Sequence, residues 1–281
     1  MFKKLPIGLL CLLVVTSGFL AGCDSPIDSE YKEQLVVTGY LFADAPIDSV
    51  IVHRTTPFGV YLDDLASAID SAIVIVTVDG KQDTLLRGAR KGRYYLPAST
   101  LIVESGKTYG LTVRYHEHLL TASTRVPQRI HFTGFTDSIR GATVVYDTNN
   151  LRSFVVYMTA GPQDESSRRY ALEIAALDTT QGRVHPPATG APVDSSTVYA
   201  RYSQLYTAPN IPVDPRLVAW FGANKVSFLA LDSNWADERR MNAFGGARAS
   251  YQPSLNHMNG GIGVWGSASR DTMTVYVKPP K

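Results

Sequence analysis

The stretch Ala72-Ile-Val-Ile-Val-Thr-Val-Asp-Gly80 decides the fold class of this chain. Residues 72–78 are almost continuously apolar, which predicts a short strand that is buried on both faces. The Asp79-Gly80 dipeptide follows directly and favours a tight turn of the primed type, in which the chain reverses into a second strand at 82–86. The segment therefore predicts a β-hairpin.

Segments with the same β character recur along the chain, with polar turns between them and little helical periodicity. We predict these further strands at 35–42, 50–55, 93–96, 108–115, 118–126, 129–135, 153–160, 169–177, 198–206, 225–231 and 272–278. The fold class is mainly β, with an immunoglobulin-like β-sandwich at 34–127 followed by a second β-rich domain at 128–281. The boundary is placed at Val126-Pro127-Gln128.

Two short helices are predicted in the second domain, near 214–221 and 234–244. Asp214 and Pro215 supply an N-cap and a first-turn proline, and Gly222 supplies a stop. In the first domain, Tyr109 begins a strand just after a turn. A tyrosine there can hydrogen-bond back across the corner, as in immunoglobulin-like sandwiches, or simply lie on a half-buried strand.

The N-terminus predicts a lipid anchor. Lys3 and Lys4 precede an apolar run at 5–19, and Leu20-Ala-Gly-Cys23 then matches the cleavage site of a bacterial lipoprotein signal. We expect residues 1–22 to be removed, Cys23 to carry the lipid, and 23–33 to form a tether. The resulting location is the outer membrane, either periplasm-facing or on the cell surface.

Charge and cysteine content exclude several classes. The chain has 27 basic and 25 acidic residues, and removal of Lys3 and Lys4 with the signal leaves equal numbers. No basic stripe is present, so we expect no nucleic-acid partner. The only other cysteine, Cys11, lies in the signal, so no disulfide or thiolate metal site is expected in the remaining chain.

Three segments in this order resemble a family of Bacteroidota envelope lipoproteins catalogued as a domain of unknown function. They are Leu35-Val-Val-Thr-Gly-Tyr-Leu-Phe42, Gly106-Lys-Thr-Tyr-Gly-Leu-Thr-Val113, and Leu231-Asp232 with a helix and then Gly260-Gly-Ile-Gly-Val-Trp-Gly-Ser267. The resemblance covers nearly the whole mature chain. It implies an immunoglobulin-like first domain, a β-rich second domain and an envelope location, often beside outer-membrane receptors of the TonB-dependent type. It supplies no catalytic residues.

Gly261-Ile-Gly-Val-Trp-Gly266 matches the letters of the dinucleotide-binding fingerprint. That site needs a helix at the glycines and an acidic residue about 20 positions later, whereas here a strand follows and the chain ends first. We therefore interpret it as a glycine-rich crossing where backbones pack closely and Trp265 covers the gap. No cofactor is expected.

Two clusters could bind a metal ion, and both have a plainer interpretation. His116-Glu117-His118 could give two ligands, but it fits the tip of a hairpin, and a third ligand would have to come from another histidine. The oxygen-bearing side chains near 232–238 do not have the spacing of a calcium loop, and capping of the following helix explains them better. The histidines that could supply the third ligand are His53, His131, His185 and His257. The oxygen-bearing side chains are those of Asp232, Asn234, Asp237 and Glu238.

Aromatic residues are the remaining candidates for a binding surface. Tyrosines near 199–206 and aromatic residues on or beside the two helices could bind peptides or glycans, although most such residues belong to a core. They are Tyr199, Tyr202, Tyr206, Trp220, Phe221 and Trp235. We expect a binding protein and not an enzyme, an accessory to an outer-membrane receptor whose contact surface is the loop 178–196 and the helix near Trp220. The alternatives are an envelope hydrolase or metalloenzyme, which needs ionisable side chains converging in a pocket, and a structural or adhesive surface protein, which needs no pocket.

Overall fold

The computed structural model describes most of the chain beyond the N-terminal thirty residues. The described residues are 31–57, 59–60, 63–135, 143–145, 154–160, 169–184, 200–213, 217–243 and 256–278. Cys23 and the loop residues 185–196 lie outside them, as do Tyr199 and His185. Within the described residues, no helix is long and apolar enough to span a membrane.

The largest of the described sheets has nine strands. Eight strands follow one another across it: Ala200–Tyr202 (β13), Arg169–Ala176 (β12), Gly222–Leu231 (β15), Gly261–Lys278 (β17), Leu35–Phe42 (β1), Ile47–Arg54 (β2), Arg93–Leu96 (β6) and Leu86–Arg87 (β5). The ninth, Thr143–Val145 (β10), pairs with the end of β17. Because β17 pairs in parallel with β1, the last of the described strands lies beside the first.

A five-stranded sheet completes the predicted sandwich. Its strands, in spatial order, are Met258–Asn259 (β16), His118–Arg125 (β8), Thr108–Tyr115 (β7), Ile73–Val78 (β3) and Lys81–Thr84 (β4). Asp79 and Gly80 both have positive φ, at 50° and 78°. This is the primed turn that the dipeptide predicts, and it fixes the register of the β3–β4 hairpin.

The first hydrophobic core lies between these two sheets and confirms the sandwich. Buried side chains come from alternate positions of β1 and β2 on one side and of β3, β7 and β8 on the other. Tyr109 is fully buried, and its hydroxyl accepts a hydrogen bond from the Glu104 amide at 2.8 Å, which confirms the predicted tyrosine corner. Trp265 of β17 also lies in this core and donates from Nε1 to the Tyr109 carbonyl at 2.9 Å.

A second core lies on the same sheet further along the chain. It is built on alternate residues of β12, β15 and β17, with Ile130 and Ile211 contributed by a small three-stranded sheet. The strands of that sheet are Asn210–Val213 (β14), Phe154–Ala160 (β11) and Ile130–Phe135 (β9).

The two predicted domains are not separate bodies, because they share the nine-stranded sheet. Residues Glu33–Lys281 form one compact unit. The boundary near 127 corresponds to a change of core along the chain, since residues from Leu35 to Val126 pack in the first core and the second begins at Ile130, although Met258 and Trp265 return to the first. Continuous backbone pairing from β12 through β15 and β17 to β1 joins these two cores.

One of the two predicted helices is present. Ser233–Ala243 forms helix α2, close to the predicted 234–244, whereas a short helix at Asp64–Ser67 (α1) was not predicted. The described part of 214–221 is not α-helical. Its backbone pairs instead with residues near Gly182, through the Phe221 amide at 3.0 Å, and leads through Gly222 into β15. Trp220 and Phe221 are therefore buried and do not form an exposed contact surface.

Strand β17 explains the glycine-rich motif. It runs for 18 residues from Gly261, well before the predicted start at 272. A side chain at Gly263 would overlap the Val37 carbonyl oxygen, and one at Gly39 would lie 2.7 Å from the Trp265 ring. The interpretation as a close crossing covered by Trp265 is confirmed, and no helix follows the glycines.

Candidate functional site

A cleft of about 830 Å³ lies beside helix α2, on the side of the nine-stranded sheet away from the second core. Alternation along the strands explains its position: on β12, Leu172 and Ile174 point into the second core, so Glu173 between them points the other way. The lining is aromatic and charged at once: Tyr40, Phe42, Glu173, Tyr202, Ser203, Gln204, Trp235, Glu238, Arg239 and Arg270.

Three packed rings form the aromatic side of the cleft. Tyr40 and Phe42 occupy the positions of β1 that alternate with buried Leu41, and Trp235 comes from the first turn of α2. The Tyr40 and Trp235 ring centroids are 4.5 Å apart, and Phe42 meets Trp235 edge-on at 5.4 Å. Trp235 is buried against Ala171 and Leu231, so it holds the other two rings in place.

Each of the two carboxylates in the cleft is paired with a tyrosine. Tyr202 and Glu173 are cross-strand partners, and the Tyr202 hydroxyl donates to Glu173 Oε1 at 3.0 Å. Burial, with the Glu173 charge as the next cause, raises the pKa of Tyr202 to about 12. Burial also raises the pKa of Tyr40 well above its usual range, and the hydrogen-bonded Glu238 adds to that rise.

Each of the two arginines lies over an aromatic ring. The Arg239 guanidinium is 5.0 Å from the centre of the Tyr202 ring, and its Nη2 donates to the Ser203 carbonyl at 2.6 Å. Arg270 lies 4.7 Å from the centre of the Phe42 ring. Burial lowers the pKa of Arg239. With two carboxylates and two guanidinium groups, the charged side chains of the cleft balance.

The predicted oxygen cluster does not converge on a cation. Asp232 caps α2 by accepting from the Trp235 amide at 3.0 Å, which confirms the capping interpretation. Asp237 accepts from Arg240 at 2.9 Å and lies 3.0 Å from His257, whereas Glu238 lines the cleft. Across the described part of the chain, no three His, Cys, Asp or Glu side chains group as metal ligands.

His116-Glu117-His118 forms the tip of the β7–β8 hairpin, as predicted, with Tyr115 paired to His118. His118 lies 3.6 Å from Glu117. His53, one of the possible third ligands, instead contacts the Ser67 hydroxyl through Nδ1 at 3.0 Å. Burial lowers the pKa of His53. Ser67 is only 1% exposed, so its hydroxyl is almost fully buried in this structure.

Two side chains that line the cleft, Tyr202 and Trp235, are predicted from the sequence for their aromatic character, and Glu238 only as part of an oxygen cluster. The cleft residues that were not predicted are Tyr40, Phe42, Glu173, Ser203, Gln204, Arg239 and Arg270. The alternation of β1 carried a usable signal, because large aromatic rings occupy its outward positions. Tyr206, also singled out, instead pairs through its backbone with Tyr170.

Comparison with known proteins gives a family but no activity. The model of one family, described as a domain of unknown function (DUF4249), matches residues 23–252. No curated protein matches the sequence. Among solved structures, a segment of two fibronectin type-III domains from chicken tenascin is similar at 12% identity over 71% of this chain and 91% of that one, with a TM-score of 0.19.

Proposed function

The chain belongs to the family described as a domain of unknown function (DUF4249), and we propose that it is a lipid-anchored protein of the Bacteroidota cell envelope that binds a ligand in the cleft beside α2. In this proposal it serves as an accessory to an outer-membrane receptor of the TonB-dependent type. The observation that carries the binding role is the cleft itself.

The signal layout at the N-terminus supports the anchor. Lys3 and Lys4, the apolar run and the small residues before Cys23 form the sequence of a lipoprotein signal, and the family match begins at Cys23. Several acyl chains on one cysteine would hold the protein at a membrane, because each buried methylene contributes about 0.8 kcal/mol.

The composition of the cleft supports binding. Ligand sites are typically concave, about 300–1,000 Å³ in volume, and mostly apolar with a few oriented polar groups. This cleft has that size, and its polar groups are held in place by contacts within the protein, such as Tyr202 with Glu173 and Arg239 with the Ser203 carbonyl. A ligand would therefore meet groups that are already oriented, which lowers the entropy cost of binding.

A hydrolase is the second candidate, because the cleft does hold two carboxylates, Glu173 and Glu238. Paired carboxylates are the groups that hydrolyse glycosidic bonds. Both of these carboxylates accept hydrogen bonds from tyrosine hydroxyls, which favours an orienting role over proton transfer. A purely structural or adhesive protein would need no pocket, and a cleft of this size argues against it.

A pull-down from the native membrane in mild detergent tests the proposal. The tagged wild-type protein should retain a stoichiometric outer-membrane receptor, and the Cys23→Ala variant should lose both the membrane and the receptor. Protease treatment of intact cells then distinguishes a surface-facing from a periplasm-facing protein. Recovery of the intact protein alone, with no partner, would contradict the accessory role.

A further inference from the structure

We infer that the cleft beside α2 binds a neutral oligosaccharide. This inference rests on the proposed binding function and specifies its ligand class. It follows from three properties of the lining: balanced charge, the presence of both hydrogen-bond donors and acceptors, and partly exposed aromatic rings.

The balance of charge disfavours an ionic ligand. The two carboxylates of Glu173 and Glu238 offset the two guanidinium groups of Arg239 and Arg270. Glu173 and Arg239 also have partners in the protein, the Tyr202 hydroxyl and the Ser203 carbonyl. An anion would need an uncompensated cation, and a cation an uncompensated carboxylate, to offset the loss of its own hydration. A neutral ligand requires neither.

The polar groups also demand a ligand that both donates and accepts. Carboxylates only accept and guanidinium groups only donate, whereas the exposed Gln204 amide does both. Hydroxyl groups can donate to Glu173 and accept from a neighbouring arginine at the same time. Two neighbouring hydroxyls on a sugar ring can bond to one planar side chain that has two bonding positions. The cleft has five such side chains: Glu173, Gln204, Glu238, Arg239 and Arg270.

The aromatic rings supply the apolar contact. Of the rings that line the cleft, Tyr202 is 46% exposed, and Tyr40 and Phe42 are half-buried. The C–H bonds on the face of a sugar ring carry small positive charges and are attracted by the negative face of an aromatic ring. A quaternary ammonium ligand is a poorer match, because its charge would be repelled by Arg239 and Arg270, which lie 5.0 and 4.7 Å from the rings of Tyr202 and Phe42.

Calorimetric titration of the full lipidated protein in detergent tests this inference. The probes are neutral hexaoses of glucose, mannose and xylose with different linkages, a trimer of galacturonic acid as the anionic probe, and a neutral hexapeptide. At least one neutral saccharide should bind, with an affinity at least tenfold above those of the charged and peptide probes.

Variants locate the binding. Tyr202→Ala should weaken saccharide binding about tenfold or more, which is the loss of one aromatic stacking contact. Glu173→Gln should weaken it as well, because the amide donates where the carboxylate only accepts. Tyr276→Ala is the matched control: it is a tyrosine of similar exposure, 39%, on the same sheet but outside the cleft, and it should leave binding unchanged.

The outcomes separate this inference from the proposed function. If no neutral saccharide binds while the receptor still co-purifies, the ligand class is wrong and the accessory role stands. Stronger binding of the peptide or the acidic trimer would also overturn the inference, as would saccharide binding that Tyr202→Ala does not weaken. Cleavage of the bound saccharide, abolished in Glu173→Gln, would confirm the ligand class but replace the binding function with a hydrolase. Loss of both receptor and saccharide binding would overturn the two proposals together.

Discussion

Gly263 is the residue at which two neighbouring strands leave no room for a side chain. Its φ is 128°, and a Cβ atom there would overlap the carbonyl oxygen of Val37 on β1. Gly80 also has a positive φ, of 78°, but a Cβ atom there would meet nothing within 4 Å. The pair therefore separates the cost of an unusual backbone angle from the cost of a steric clash.

Gly263→Ala should lower the free energy of unfolding by at least about 3 kcal/mol, because strain and overlap act together. Gly80→Ala should cost only about 1–2 kcal/mol, from the left-handed conformation alone. Chemical denaturation of both variants measures the difference. Equal losses would show that β1 and β17 do not approach as closely as described.

Side chains with one dominant local role could be predicted at this scale. Asp79-Gly80 indicates its turn and Tyr109 its corner, because each depends on neighbours within a few residues. Glu173 and Arg270 carry no local sign of their role. Their partners, Tyr202 and Phe42, lie on other strands, and only the sheet order brings them together.

Asp232 immediately precedes helix α2, and its side chain connects three elements. Its Oδ1 accepts from the Trp235 amide and from the Ser267 amide of β17, and its Oδ2 accepts from the Thr124 hydroxyl of β8 at 2.6 Å. The carboxylate is 4% exposed, and burial raises its pKa above the ordinary 3.8 despite these hydrogen bonds. The cap therefore also fixes the position of Trp235 in the cleft.

Asp232→Ala should lower the free energy of unfolding by about 3 kcal/mol, because it removes the cap and leaves buried donors unpaired. Asp232→Asn should cost about 1 kcal/mol or less, since its carbonyl oxygen can still accept from both amides. Urea denaturation at neutral pH compares them. Equal losses in the two variants would contradict the role of the cap.

The raised pKa predicts how the stability difference between wild type and Asp232→Asn depends on pH. Between 3.8 and the raised value, the folded protein holds a proton that the unfolded chain has released, so stability falls as pH rises through this range. As pH is lowered from 7 towards 4, wild type should therefore gain stability relative to Asp232→Asn. Denaturation of both proteins at several pH values measures this, and a constant difference would contradict it.

Most strands of this fold could be predicted from the local sequence pattern, but the strands with which they pair could not. Strands β1, β6 and β7 begin and end where alternation and turn residues place them. The helix expected at 214–221 does not extend over residues 218–221, because Phe221 pairs with Gly182 and Gly222 continues into β15. At these residues tertiary pairing decided the backbone conformation.

The whole molecule should unfold in one step, although the first and second cores are separate. Both cores rest on strand β17, which contributes Trp265 to the first and Val275 and Val277 to the second. Differential scanning calorimetry should give a single transition, with a van't Hoff enthalpy equal to the calorimetric one. Two independent domains would give two transitions, and Gly263→Ala would then shift only one of them.

Strand β17 also sets the order in which the protein can be completed. Met258 and Trp265 are synthesised well after the other buried members of the first core, which lie between Leu35 and Val126. Parallel pairing of β1 with β17 likewise joins segments more than 200 residues apart, and contacts this distant form slowly. The first core therefore stays incomplete during synthesis until Met258 and Trp265 have left the ribosome. A chain that stops short of residue 258 would expose this core to proteases.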